Sequence, residues 1–201
     1  MKSLLKQFAH PSKGWGRIAG WIMARTNRRL NAWTVGLLDI RPGERILEVG
    51  FGPGLAIRMI AAKTPRVFVD GIDVSVEMVR QAGRRNAWAI RQGQVALRLG
   101  SVNDLPYRSA IFDKAFAVDN IREWPDVLAG LGEICRVLKP GGLVAVTVQP
   151  QKGKIDGSFA GGVDSIRKAL GTAGFTQVRL VREERKPAGG VCVLAQKHRA
   201  G

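Results

Sequence analysis

The stretch Glu48-Val49-Gly50-Phe51-Gly52-Pro53-Gly54-Leu55-Ala56, entered from the apolar run Ile46-Leu47, constrains this chain more than any other. It reads as a buried strand closing on a carboxylate, then a turn with glycine at every second position, then the first turn of a helix. Glycines leave no Cβ between a ligand and the backbone, and a helix start carries N–H groups with no partner inside the helix. The stretch is therefore a nucleotide or cofactor seat. The acid selects among ligands. A G-x-G-x-x-G loop that carries a dinucleotide places pyrophosphate on the helix N-terminus, and Glu48, two residues before Gly50, would repel it. A zwitterionic ligand with a cationic centre is attracted instead.

The segment that follows extends the pattern. Leu55 to Ala62 reads as a helix ending before Pro65, and Val67 to Asp73 as a second buried strand. Asp73 lies 19 residues beyond Gly54, the distance at which a second-strand carboxylate reaches the ribose hydroxyls in a βαβ nucleotide fold. Asp70 takes that role if the register slips.

With these residues the chain resembles the class I (Rossmann-like) S-adenosylmethionine (SAM)-dependent methyltransferases, whose first motif is E/D-x-G-x-G-x-G. The resemblance implies an α/β fold: a single doubly wound, mostly parallel seven-stranded sheet with an antiparallel C-terminal strand pair and an N-terminal helical extension. It implies a lid in residues 1–40 and a SAM-binding domain in residues 41–201. It also implies roles for particular residues. Gly50, Gly52 and Gly54 admit the methionine part of SAM, Phe51 and Pro53 belong to the same cofactor-binding loop with Pro53 stiffening it, and Glu48 faces the ammonium group directly or through water. Asp73 meets the ribose, and Val74 beside it is among the cofactor-binding residues. Val74-Ser75-Val76-Glu77-Met78 is similar to the family's D-x-S-x-x-M, which lays Met78 against adenine; helix-to-sheet packing is the other reading of that side chain. Gly100-Ser101-Val102-Asn103-Asp104-Leu105-Pro106-Tyr107 resembles G-D-A-x-x-L-P-F, with Ser101 where the family has an acid. A neutral acceptor at Ser101 gives the adenine amino group a hydrogen bond roughly half as strong, while the Val102 N–H serves a ring nitrogen.

Further along, Ser75 to about Ile90 reads as one helix carrying Arg80, Arg84 and Arg85, with Arg91 beyond it, and Val95 to Leu99 alternates as a strand. Phe112 to Val118 is the fourth strand. Asp119-Asn120-Ile121-Arg122-Glu123-Trp124 emerges from its carboxyl end, where ligands bind in open parallel sheets, so Asp119 and Asn120 meet the cofactor. The N/D-P-P-Y/F tetrapeptide of enzymes that methylate base amines does not occur here. Pro125 fits the first turn of a helix, with Val127, Leu128, Leu131, Ile134 and Leu138 on one face. Leu138-Lys139-Pro140-Gly141-Gly142 resembles the family's turn into its fifth strand, here Leu143 to Val148, and speaks against a nicotinamide dehydrogenase. After the polar loop Gln149 to Gly161, a helix near Val163 to Ala173 and strands Gln177 to Val181 and Val191 to Ala195 close the fold.

Composition adds one oddity, a net charge of +16 from 32 basic and 16 acidic side chains. It favours anionic partners such as nucleic acid, acidic headgroups or phosphorylated small molecules, or serves solubility alone. Trp15, Trp21 and Trp33 share the N-terminal segment with Arg17, Arg25, Arg28 and Arg29. Such a segment lids a site, packs on a sheet or lies on a lipid surface. Cys135 and Cys192 read as core thiols and His10 and His198 lack ligand-spaced neighbours, so no metal is expected. No transmembrane run is present, and a cytoplasmic location is expected. The favoured function is transfer of a methyl group from SAM, leaving S-adenosylhomocysteine, to a small organic acceptor of amphiphilic or anionic character. The competing readings are an RNA methyltransferase tracking phosphates with Arg80, Arg84 and Arg85, and a non-catalytic SAM-binding or basic interaction protein. Asp119, Glu123 and His10 are the bases within reach, and no catalytic residue is assigned.

Overall fold

The computed structural model describes residues 28–149, 162–183 and 189–199. Helix α1 (28–37) leads into β1 (Arg45–Val49), α2 (Leu55–Lys63), β2 (Phe68–Asp73), α3 (Val76–Arg85), α4 (Ala87–Arg91) and β3 (Val95–Leu99). Then come β4 (Phe112–Val118), a 3₁₀ turn at Ile121–Glu123, α5 (Val127–Val137), β5 (Leu138–Val148), α6 (Gly162–Thr172), β6 (Phe175–Arg182) and β7 (Val191–Lys197). The strands form one sheet in the order β3-β2-β1-β4-β5-β7-β6. β1 to β5 are parallel, and β7 runs antiparallel between β5 and β6. This is the expected doubly wound sheet with its antiparallel C-terminal pair.

Parallel strands are covered on both faces, which is why β1 and β4 read as near-continuous apolar runs. One face packs under α5 and α6 through Leu131, Ile134, Ile166 and Leu170. Between β3 and β4 a loop replaces a helix: Val102, Leu105 and Tyr107 are buried there, and the Tyr107 ring stands edge-on to Phe112 at 5.0 Å. The other face carries α1, α2 and α3, with Leu38, Ile57, Ile60 and Ala82 against Phe116 and Leu194. Each large aliphatic or aromatic side chain buried this way stabilises the fold by about 1.5–3 kcal/mol. The described part of the N-terminal extension belongs to this core. Leu30 is buried, and the Thr34 hydroxyl donates to the Leu30 carbonyl (2.9 Å) and shares a 2.8 Å hydrogen bond with the Thr147 hydroxyl of β5. Residues 1–27, with Trp15, Trp21 and His10, lie outside the described residues, as does most of the loop after Gln149.

Three local expectations are corrected. The helix expected over Ser75 to Ile90 is two helices, because the Asn86 amide turns inward and donates to the Gly54 and Ala82 carbonyls, both at 3.0 Å. A buried asparagine offers the backbone an alternative to continuing the helix. Pro125 precedes the helix rather than opening it: the Asp126 carboxylate caps α5 by accepting from the Ala129 N–H at 3.0 Å. Leu138 to Gly142 is not a free turn but the start of β5, bulged so that Phe112 pairs with Leu138 and Lys114 with Leu143.

The order of strands reverses between β1 and β4. In such sheets this is where a crevice opens beyond the carboxyl ends.

Candidate active site

A cavity of about 670 Å³ occupies that crevice, lined from the ends of β1 (Val49, Gly50), β2 (Ile72, Asp73) and β4 (Val118, Asp119, Asn120). Its size is that of sites for one organic ligand, typically about 300–1,000 Å³.

The glycine loop is built by three different constraints. Gly50 has φ +65° and donates to the Ile72 carbonyl at 2.8 Å. A Cβ there would overlap the Asn120 amide, whose Nδ2 donates to the Val49 (2.7 Å) and Gly50 (3.0 Å) carbonyls. Gly52 has φ +51°, and a Cβ there would meet no atom within 4 Å, so this side of the loop faces open space. Gly54 caps α2 and sits tight against Ala82 of α3 and Asn86, the residue between α3 and α4.

Asp73 is held rigidly at the loop. One carboxylate oxygen accepts from the Gly52 N–H at 2.8 Å and the other from the Ser75 N–H at 2.9 Å. Each oxygen keeps a lone pair for a second donor, which suits a vicinal diol. Asp119 takes a left-handed φ of +56°, unusual for a residue with a Cβ and worth roughly 1–3 kcal/mol of strain. Its N–H donates to the Thr147 carbonyl at 2.8 Å, and its Oδ1 accepts from the Gln149 N–H at 3.1 Å. Burial raises the Asp119 carboxyl above the usual range, opposed by the Gln149 N–H and by Arg122. Glu123 is raised as well, first by desolvation and then by the charges of Asp119 and Asp73.

Of the residues singled out from the sequence, Gly50, Gly52, Asp73, Val74, Met78, Ser101, Val102, Asp119 and Asn120 are brought together around this cavity. Met78 both lines it and packs on the core. Glu48, Phe51, Pro53 and Gly54 stand behind it. Phe51 is buried, its ring over the space left by Gly71, and the Pro53 carbonyl accepts from Arg85 at 2.6 Å. Glu48 lies within β1 opposite Gly71 and Phe116, only 3% exposed, and its Oε2 has no hydrogen-bond partner. Burial, and after it the Asp73 charge, hold its carboxyl well above the usual carboxylate range against the Ile57 backbone N–H. Asp70 pairs with Arg45 (2.8 Å) and does not line the cavity.

Sequence reasoning did not assign separate roles to Arg122, Trp124 and Gln149, which line the outer wall. The Trp124 indole N–H donates to the Asn120 Oδ1 at 3.1 Å. Asn120 thus ties the glycine loop to the wall through both ends of its amide. No residue spacing signals that link; the place of the stretch after a buried strand was its one visible sign.

Among the described residues of the lining, three acids, Asp73, Asp119 and Glu123, stand with one guanidinium, Arg122. A chain of net charge +16 therefore holds an acidic cavity. Among the described residues no cluster of three or more His, Cys, Asp or Glu side chains is placed to hold a metal, and no helix is long and apolar enough to cross a membrane.

Fold and site together define a Rossmann-like α/β protein with an acidic cleft at its switch point. A family model described as a methyltransferase domain matches residues 46–142. An uncharacterized methyltransferase of Bacillus subtilis, YdaC, is 38% identical over 184 residues, 90% of this chain and 98% of that protein. The ubiquinone/menaquinone biosynthesis C-methyltransferase UbiE of Geotalea daltonii is 35% identical over 121 residues, but the match spans 60% of this chain and 52% of that protein. Among solved structures the cyclase SpnF has the same fold, with a TM-score of 0.74, 21% identity and coverage of 86% of this chain and 82% of that one. The chain belongs to the class I SAM-dependent methyltransferases.

Proposed function

We propose that this protein transfers the methyl group of SAM to a small organic acceptor, and that the cavity between Gly52, Asp73 and Trp124 is where both meet. The observation that carries this reading is the inversion of charge. An acidic pocket inside a basic protein suits a ligand with an ammonium and a sulfonium, and repels the pyrophosphate of a dinucleotide. The residues present fit SAM in three further ways. Asp73 has acceptor capacity for the ribose diol, the open side of Gly52 admits the amino-acid part, and the buried Glu48 Oε2, two residues before Gly50, has no partner among the described residues.

When bound, SAM supplies an electrophilic methyl on its sulfonium. The task of this chain is then to hold the acceptor in line with that methyl at near-attack distance. Trp124 and Pro125 form an apolar wall for an acceptor, with Arg122 beside them for an anionic group. Asp119 and Glu123 line the cavity and can take a proton from an acceptor that must lose one. The varied acceptors in the names of relatives, a rifamycin in one case and quinones in another, support a small molecule without choosing one.

Calorimetry with S-adenosylhomocysteine tests the seat. Gly52→Val, which puts a branched side chain at φ +51° into the open space, abolishes binding. Asp73→Ala removes charge-assisted hydrogen bonds of about 1.5–3 kcal/mol each, roughly ten-fold or more in affinity. Unchanged binding in both variants defeats the site assignment. Labelled SAM incubated with a metabolite extract tests the acceptor class, and label found only in macromolecules defeats it.

A further inference from the structure

At the opposite end of the sheet, below the amino-terminal ends of β2 and β3, three clefts follow one another. The central cleft, about 690 Å³, shares Phe68 and Gln94 with a neighbour of about 380 Å³, and shares Trp88 with another of about 280 Å³ on its other side. The ridges between clefts are therefore aromatic, and both are open to solvent: Trp88 is 63% exposed and Phe68 49%. Arginines stand in the hollows, Arg66 in the central cleft and Arg58 with Arg85 beyond Trp88. None of these three makes an ion pair among the described residues, and Arg85 donates only to the Pro53 carbonyl. In the neighbour past Phe68, Arg45 is already paired with Asp70, so free positive charge is concentrated around Trp88. The amide oxygen of Gln94 is buried at the cleft with no donor.

We infer that this face binds single-stranded nucleic acid, with bases stacked on Trp88 and Phe68 and phosphates against Arg58, Arg66 and Arg85. Aromatic ridges alternating with basic hollows are what a flexible strand of stacked bases and phosphates requires, and stacking tolerates any base. An anionic lipid surface would satisfy the arginines, yet a flat headgroup layer does not fill concave clefts between aromatic ridges. The face is separate from the cavity. No lining residue is shared, and the length of β2 puts Phe68 roughly 16 Å from Asp73, although Arg85 reaches the back of the glycine loop at Pro53. The strand is thus a docking partner rather than the methyl acceptor, and the inference stands independently of the methyl-transfer reading.

Fluorescence anisotropy of the full chain with a labelled 12-nucleotide oligouridylate, without SAM, tests it. Three phosphate contacts give a log–log salt slope near −2, about −0.7 for each. Trp88→Ala weakens binding about 5- to 150-fold, the range for one stacked base. Arg66→Glu weakens it and flattens the slope. Leu128→Ala, which removes an exposed apolar side chain on α5, leaves it unchanged. All three positions are on the surface, and matching circular dichroism and S-adenosylhomocysteine binding establish that each variant is folded. Absence of binding, affinity undiminished by Trp88→Ala, equal affinity for a duplex of the same length, or Trp88-dependent uptake by phosphatidylglycerol vesicles in place of the oligonucleotide would each overturn the inference.

Discussion

Gly50 and Asn120 occupy one another's space, and this makes their coupling measurable. In Gly50→Ala the new methyl takes the position of the Asn120 amide nitrogen, so the amide must swing away from the Val49 and Gly50 carbonyls and from the Trp124 indole. At about 1 kcal/mol for each net hydrogen bond that is about 3 kcal/mol, and a Cβ at φ +65° adds roughly 1 kcal/mol. Asn120→Ala alone loses the same three bonds, about 3 kcal/mol. The double variant has already lost the amide, so only the backbone strain is added, for a total near 4 kcal/mol rather than the 7 kcal/mol expected from independent sites. The coupling is therefore about 3 kcal/mol toward rescue. Urea unfolding of the four apo proteins measures it, and S-adenosylhomocysteine affinity across the same set follows the loop itself. Additivity within about 0.5 kcal/mol would refute the claim that Asn120 holds the glycine loop. An Asn120→Asp variant sharpens the test, because its carboxylate keeps an acceptor for Trp124 but turns an oxygen toward two carbonyls, and it should be worse than alanine.

Two further outcomes follow from burial. Because the Glu48 carboxyl is raised in the folded protein, its ionisation opposes folding. The penalty is complete above the folded value and vanishes as pH falls to the unfolded one. Glu48→Gln therefore gains stability relative to wild type with rising pH, by at most about 1.4 kcal/mol per pH unit, while losing S-adenosylhomocysteine affinity; a difference in unfolding midpoint that does not vary with pH contradicts this. Burial also pushes the Cys192 thiol up to about 11 and raises Cys135. At pH 8 a disulfide reagent should leave Cys192 unmodified in the native protein and modify both thiols at once in urea, and two fast native thiols would show that the β5–β7 core is open.

The acid-x-Gly-x-Gly-x-Gly stretch, Asp73 and the apolar strands β1, β2 and β4 were legible in the chain because each is a local matter. A loop that must admit a ligand needs glycine wherever it stands, and a strand buried on both faces must be largely apolar. Local pattern also located the stretch after β4, from Asp119 to Trp124, and the closing antiparallel pair. Tertiary structure alone decided the rest, because it depends on partners far apart in sequence. Asn86 breaks a helix since the Gly54 carbonyl, 32 residues away, waits for its amide. Glu48 is a buried acid behind the cavity wall rather than part of its lining, because its carboxyl turns to the Ile57 N–H of α2. Phe68, Trp88 and Gln94 form one face only once β2, α4 and β3 are packed edge to edge, and nothing in their spacing announces it.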